Sequence, residues 1–207
     1  MLFRSFDFVD NTAAVGLHTQ ETVNVAGKSK LKGVEAELTF QPVDNLTLGA
    51  SYAYTKANIP STANPLHFTN NGQPVSATNP DVFGTITPVF VVFTPKHALS
   101  GFFDFELPVN DAGANLRLHL DGNYAGKQYT FQDENVLTDS SFIVNGSLAL
   151  ANIPVSADQS LTISLWSRNL LDEDHIYRRS NANNNTLGAY ANFNPSRTFG
   201  IQTSFDF

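Results

Sequence analysis

Few residues in this chain have the types and spacing that chemistry requires. His119 and Asp121 lie two positions apart, so on an extended strand an imidazole and a carboxylate would point the same way and could pass protons. Nucleophilic catalysis would need a third group from another strand, and nothing among the abundant Ser and Thr residues is singled out by spacing. A hydrogen-bonded polar network is the simpler reading of the pair. His18, His67, His97 and His175 are scattered, with no His-x-x-x-His spacing, and the chain has no cysteine. Neither a metal-ligand set nor a disulfide framework is indicated. The expectation is a protein that is not an enzyme, with no catalytic residue, no metal and no cofactor. A net charge of −7 argues against nucleic acid as a partner, because phosphate binding needs a basic surface.

The elements that carry these residues alternate. Leu46, Leu48, Ala50, Tyr52 and Tyr54 are interleaved with Thr47, Gly49, Ser51, Ala53 and Thr55, and Leu116, Leu118 and Leu120 with Asn115, Arg117, His119 and Asp121. A period of two scatters apolar residues around a helix but gathers them on one face of a strand. On the same basis Glu35, Glu37, Asp104, Glu106, Arg117, His119 and Asp121 fall on the face opposite the apolar residues, provided that no bulge shifts the register. Strands are expected at 2–9, 22–41, 46–57, 96–107, 114–130, 141–152, 160–177 and 197–207, eight in all.

Their connections alternate in length. Pro42 to Asn45, Pro108 to Gly113 and Pro154 to Gln159 are compact, whereas 10–21, 58–95, 131–140 and 178–196 are long. Short, long, short, long is the order of an up-and-down antiparallel transmembrane β-barrel, with turns at one rim and loops at the other. Within the longest connection, Val89 to Phe93 would extend the following strand or add a hairpin. No run approaches the apolar length of a membrane helix, while 17 Phe and 6 Tyr in a chain of only 42% hydrophobic residues suit aromatic girdles around a barrel. Tyr52, Tyr54, Tyr124, Phe142 and Tyr177 would form the girdle at the loop end, and Phe40, Phe105, Phe205 and Phe207 the one at the turn end. Soluble β-sandwich packing is the reading this order disfavours.

Three groups of residues acquire expected roles in such a barrel. The chain ends on an alternating strand with Phe199, Ile201, Phe205 and Phe207 on one face, the form of a closing strand that carries an outer-membrane insertion signal. Lys28, Lys30 and Lys32 share parity with Val34, Ala36, Leu38 and Phe40, and so prolong the lipid face outward. There they either contact anionic lipopolysaccharide or merely solubilise the strand above the membrane. Tyr190 and Phe193, in the last long loop, are candidates for stacking on a ligand. Met1 is followed by no basic leader, apolar core or cleavage site, so a mature or truncated chain is expected.

Ala26 to Thr55 (AGKSKLKGVEAELTFQPVDNLTLGASYAYT) resembles the late-barrel signature of TonB-dependent outer-membrane receptors, and Ser164 to Tyr177 and Asn194 to Phe207 resemble the same family in the same order. The resemblance implies the C-terminal segment, 1–207, of a larger barrel of about 22 strands, without the plug or the TonB-contacting segment of the family. The implied function is a bacterial outer-membrane receptor for a scarce nutrient such as a ferric siderophore, not transport-competent in this segment alone. Outer-membrane lipid, the insertion machinery and a small-molecule ligand of the intact receptor are the implied partners, with the TonB complex reached only through the missing region. A self-sufficient eight-stranded structural or adhesion barrel is the alternative.

Overall fold

The computed structural model describes residues 5–10, 19–24, 28–61, 89–132, 134–180 and 188–207, the first two stretches as backbone only. His18, His67 and most of the 58–95 connection lie outside these residues. The described structure is all β. Strands β1 (Ser5–Asp10) and β2 (Thr19–Asn24) form an antiparallel hairpin of their own. The main body is a seven-stranded antiparallel sheet of β3 (Lys30–Val43), β4 (Leu46–Asn58), β5 (His97–Pro108), β6 (Asn115–Ala125), β7 (Ser141–Ser156), β8 (Gln159–Arg168) and β11 (Thr198–Asp206). Strands β9 (Ile176–Ser180) and β10 (Tyr190–Phe193) pair as a small hairpin after β8.

Each strand of the main sheet pairs with its neighbour in sequence, apart from the β9–β10 excursion between β8 and β11. The three tight connections all fall at one end. Asp44–Asn45 turns β3 into β4, with Gln41 Nε2 donating to the Asp44 carbonyl at 3.0 Å. Between β5 and β6, Asn110 Oδ1 accepts from the amides of Ala112 and Ala114, both at 3.1 Å, and Gly113 supplies a φ of 97° that other residues resist. Ala157–Asp158 turns β7 into β8. The alternation of short and long connections expected from the sequence is therefore present.

Cross-strand register sorts the side chains onto two faces. One carries Val34, Leu38, Phe40, Leu48, Leu99, Phe103, Phe105, Leu118, Leu148, Leu165 and Ile201; the other carries Glu35, Glu37, Ser51, Asp104, Glu106, Arg117, His119, Asp121, Ser164 and Gln202. The sheet is a single layer, and among the described residues Ala114 and Ala151 are the only buried apolar ones. Leu38 is 66% exposed, Phe40 55%, Leu165 53% and Ile201 71%, on one continuous face. An apolar surface of that extent belongs against lipid or a partner rather than water, and among the described residues no second sheet packs on it as in a sandwich.

The strand boundaries differ from expectation in four places, each with a local cause. The expected strand 22–41 is two elements, β2 and β3, in different sheets. The expected 141–152 strand runs on to Ser156, absorbing Asn152 (φ 54°) in a bulge between Leu150 and Ile153 and reducing the turn to two residues. The expected 160–177 strand stops at Arg168, because Asn169 (φ 52°) and Asp172 (φ 57°) take the left-handed conformation that Asn and Asp tolerate. The expected 114–130 strand stops at Ala125, after which residues fold back on themselves through Thr138 N to Gln128 O at 2.8 Å and Gln128 N to Thr138 Oγ1 at 3.2 Å. Val92 makes a single bridge to Tyr129 instead of a hairpin.

Six successive antiparallel pairings separate β3 from β11, so these edge strands run in the same direction. The sheet is open, and its two edges cannot join each other in the antiparallel manner of an up-and-down barrel.

Candidate functional site

The polar face carries a connected cluster at its centre. β5 and β6 place Asp104 opposite His119, and β6 and β7 place Asp121 opposite Asn145. His119 Nδ1 lies 2.6 Å from Asp104 Oδ1 and its Nε2 lies 3.5 Å from Asp121 Oδ1. Asp121 Oδ2 accepts from Asn145 Nδ2 at 2.9 Å and from Asn123 Nδ2 at 3.2 Å. One step along, Arg117 Nε faces Glu106 Oε2 at 3.5 Å. The His119–Asp121 proximity inferred from spacing is real, but both ring nitrogens face carboxylates, which leaves neither to take a proton from a hydroxyl. What the cluster can do is hold two carboxylates on a polar wall, linked through one imidazole and two side-chain amides.

From this cluster the network climbs to the loop end. Asn145 Oδ1 accepts the Asn169 amide at 3.0 Å, and Asn169 closes its own turn through Oδ1 to Glu173 N and Nδ2 to Glu173 O, each 2.9 Å. Asn194 ties the same turn to β10, accepting from His175 N and donating to Glu173 O, both at 2.8 Å. His175 thereby roofs an open hollow of about 340 Å³ on the polar face, floored by Ser51, Ala98, Ser100, Asn123 and Ser141. Two aromatic rings also lie on this face over glycines. Phe102 covers Gly49, and Trp166 covers Gly200, where an added Cβ would sit 2.6 Å from the indole Cζ2.

The candidate ligand residues of the last loop are placed unequally. Tyr190 meets Phe131 edge to face with centroids 6.2 Å apart, and the Arg178 guanidinium stands over the Phe131 ring, its Cζ 5.1 Å from the centroid. Phe193, beyond a register shift on the same strand, is 62% exposed. Thr130 anchors the group by donating to Arg179 O at 2.8 Å. Phe131 and Arg178 were not legible in the sequence, since Phe131 comes from irregular chain after β6 and Arg178 from the short strand β9.

Among the candidate lysines, Lys30 and Lys32 lie on β3 with the parity of Val34, and Lys28 precedes the strand, all exposed. Register adds Lys56, directly opposite Lys32. Its parity with Tyr52 and Tyr54 was readable in the sequence. Below it, Tyr52, Leu99, Tyr124 and Phe142 form one row across four strands, as a girdle at the loop end requires. On β11, Phe199, Ile201 and Phe205 pair with Ser167, Leu165 and Leu161; Phe199 and Ile201 remain largely exposed and Phe205 partly so, and the Phe205 and Phe207 rings meet at 4.9 Å.

An antiparallel meander with one apolar face, one polar face and its tight turns at one end is a segment of barrel wall. Residues 2–170 match the family model described as "TonB dependent receptor-like, beta-barrel", and the chain belongs to that family. It is similar in fold to the ferric yersiniabactin uptake receptor FyuA from Yersinia pestis (TM-score 0.62, 19% identity), a match covering 90% of this chain and 24% of the receptor. It is likewise similar to BauA, the ferric preacinetobactin receptor from Acinetobacter baumannii (TM-score 0.59, 16% identity), over 98% of this chain and 26% of that one. The chain thus spans about a quarter of the length of these solved receptors. No curated protein matches it.

Proposed function

We propose that residues 1–207 are a C-terminal barrel segment of a bacterial outer-membrane receptor that imports a scarce nutrient such as a ferric siderophore with energy from TonB. The observation that carries this is the open sheet of seven strands with an apolar and a polar face, in a chain of the TonB-dependent receptor family. The two similar solved proteins, receptors for ferric yersiniabactin and ferric preacinetobactin, favour an iron chelate as the cargo. In this reading the apolar face meets lipid, and the polar face with Asp104, His119 and Asp121 lines the lumen. Phe199, Ile201, Phe205 and Phe207 present the final strand to the insertion machinery, and Tyr190 with Phe131 and Arg178 offers a ligand contact at the outer mouth. A self-contained eight-stranded barrel would need one further strand between β3 and β11, and β1 and β2 pair with each other rather than with the main sheet.

Membrane fractionation and vesicle transport test the proposal. The chain, exported to the envelope, is expected in the outer-membrane fraction, and recovery as a detergent-independent soluble protein overturns the membrane assignment. Vesicles carrying residues 1–207 alone are expected to take up no ferric siderophore. Saturable uptake that needs the inner-membrane energy-transducing complex overturns the segment assignment.

A further inference from the structure

We propose that Lys32 and Lys56, flanked by Lys30, form a phosphate-binding pair on the apolar-parity face of the sheet, and that its ligand is the phosphorylated headgroup of a membrane lipid. Lys32 and Lys56 are directly opposed across the β3–β4 ladder, with Lys30 opposite Asn58 one step outward. Facing residues on one side of an antiparallel pair hold their Cβ atoms about 5 Å apart, a spacing at which like charges repel. Neither lysine has an ion pair among the described residues, and the nearest carboxylates in sequence, Glu35 and Glu37, occupy the opposite face. Two unpaired ammonium groups held side by side are matched by the oxygens of a phosphate bridging them.

The residues beneath the pair select the source of that phosphate. Descending the same face, Lys32 and Lys56 are followed by Val34 and Tyr54, then Ala36 and Tyr52, then Leu38 and Ala50, then Phe40 and Leu48. Tyr52 donates to or accepts from His97 Nδ1 at 2.8 Å, and the Tyr54 ring lies 5.2 Å from that imidazole, so this level is amphipathic. Cation, amphipathic ring and hydrocarbon in vertical order reproduce headgroup, interface and acyl chain. Protection of a sheet edge by lysine would account for Lys30 and Lys32 on β3, but Lys56 lies on β4, which is paired with β5 up to Tyr54 and is not an edge strand of the sheet.

The inference rests on the outer-membrane reading, and its test separates the two. Native mass spectrometry of the full chain in detergent micelles would compare bisphosphorylated lipid A with its dephosphorylated form. The parent is expected to prefer the phosphorylated lipid by roughly tenfold, K32Q/K56Q to lose that preference with its strand circular dichroism intact, and K96Q/K127Q, which removes equal charge at the same end of the sheet but outside the pair, to keep it. Preference surviving in K32Q/K56Q, equal loss in K96Q/K127Q, or inorganic pyrophosphate binding the parent as tightly as the lipid overturns the proposal. A chain that stays soluble without detergent fails the membrane reading instead.

Discussion

Gly200→Ala tests how the last strand is seated, with a single methyl group. Gly200 pairs with Trp166 across β8 and β11, and a Cβ at position 200 would lie 2.6 Å from Cζ2 and 2.8 Å from Cε2 of the indole. Carbon atoms rest about 3.5–4.0 Å apart, so the ring must move by about 1 Å. The Arg168 guanidinium, 5.7 Å from the indole centroid, loses its seat as the ring moves. Forced shifts of this kind cost about 1–3 kcal/mol, and an exposed cation–π contact is worth about 0.5–1 kcal/mol. Against this, alanine restricts the unfolded chain and returns about 0.4–1 kcal/mol, since Gly200 is not among the glycines of positive φ. The expected net loss is about 1–2 kcal/mol. Trp166 is the single tryptophan, so its emission reports the ring directly, while circular dichroism follows urea unfolding in micelles. Trp166→Leu should relieve the clash, giving a coupling of about 1 kcal/mol or more in the double-mutant cycle. Unshifted emission with parental stability in Gly200→Ala, or an additive cycle, refutes the reasoning.

Lysine at Ile201, which stands in register with Leu165 on the apolar face, should cost about 2–4 kcal/mol if that level is the bilayer midplane, and lysine at Phe205, nearer the tight turns, distinctly less; equal unfolding free energies in vesicles would contradict the depth assignment. Phe207→Asp should slow insertion of a receptor carrying this segment, read as loss of heat-modifiable protein in the outer membrane. Asn169→Ala removes the side-chain bonds to Glu173 and forces alanine toward φ 52°, together about 2–3 kcal/mol, and should open 169–175 to protease. Asn169→Gly keeps the backbone and should be milder, and equal protection in all three proteins would remove Asn169 from this role.

The fold was legible where the pattern was local and regular. Alternation through β4, β6 and β11 assigns each side chain to a face because the period of two admits no other placement, and the Pro, Asn and Gly residues mark the tight turns. The breaks were hidden because left-handed Asn152 and Asn169 look like any other polar residue in an alternating run, and only the contacts around them fix their backbone. The polar cluster was legible as a set of residues sharing one face, but its pairings depend on stagger between strands, which spacing within one strand does not encode. The Phe131, Arg178 and Tyr190 group was the least accessible, since it brings irregular chain after β6 against the short β9–β10 hairpin, most of which was expected to be loop.

The direction of the edge strands constrains whatever completes this wall. β3 offers fourteen residues and β11 nine, and along each the backbone groups that point away from the sheet have no ladder partner among the described residues. In hydrocarbon every such group costs several kcal/mol, so an open sheet of this height is not a resting state in a bilayer. Because both edges run the same way, an antiparallel wall closes only if an odd number of further strands stands between them. Neither direct contact of β3 with β11 nor a ring of identical seven-stranded sheets in one membrane orientation meets that condition, since each junction would be parallel. A barrel of about 22 strands meets it by supplying fifteen more, an odd number. A barrel of that width also leaves room for the polar face to stay half exposed. In the proposed wall of that width Asp104, His119 and Asp121 would look across a wide lumen rather than into a packed core, where water can solvate the carboxylate charge that His119 and Arg117 do not offset.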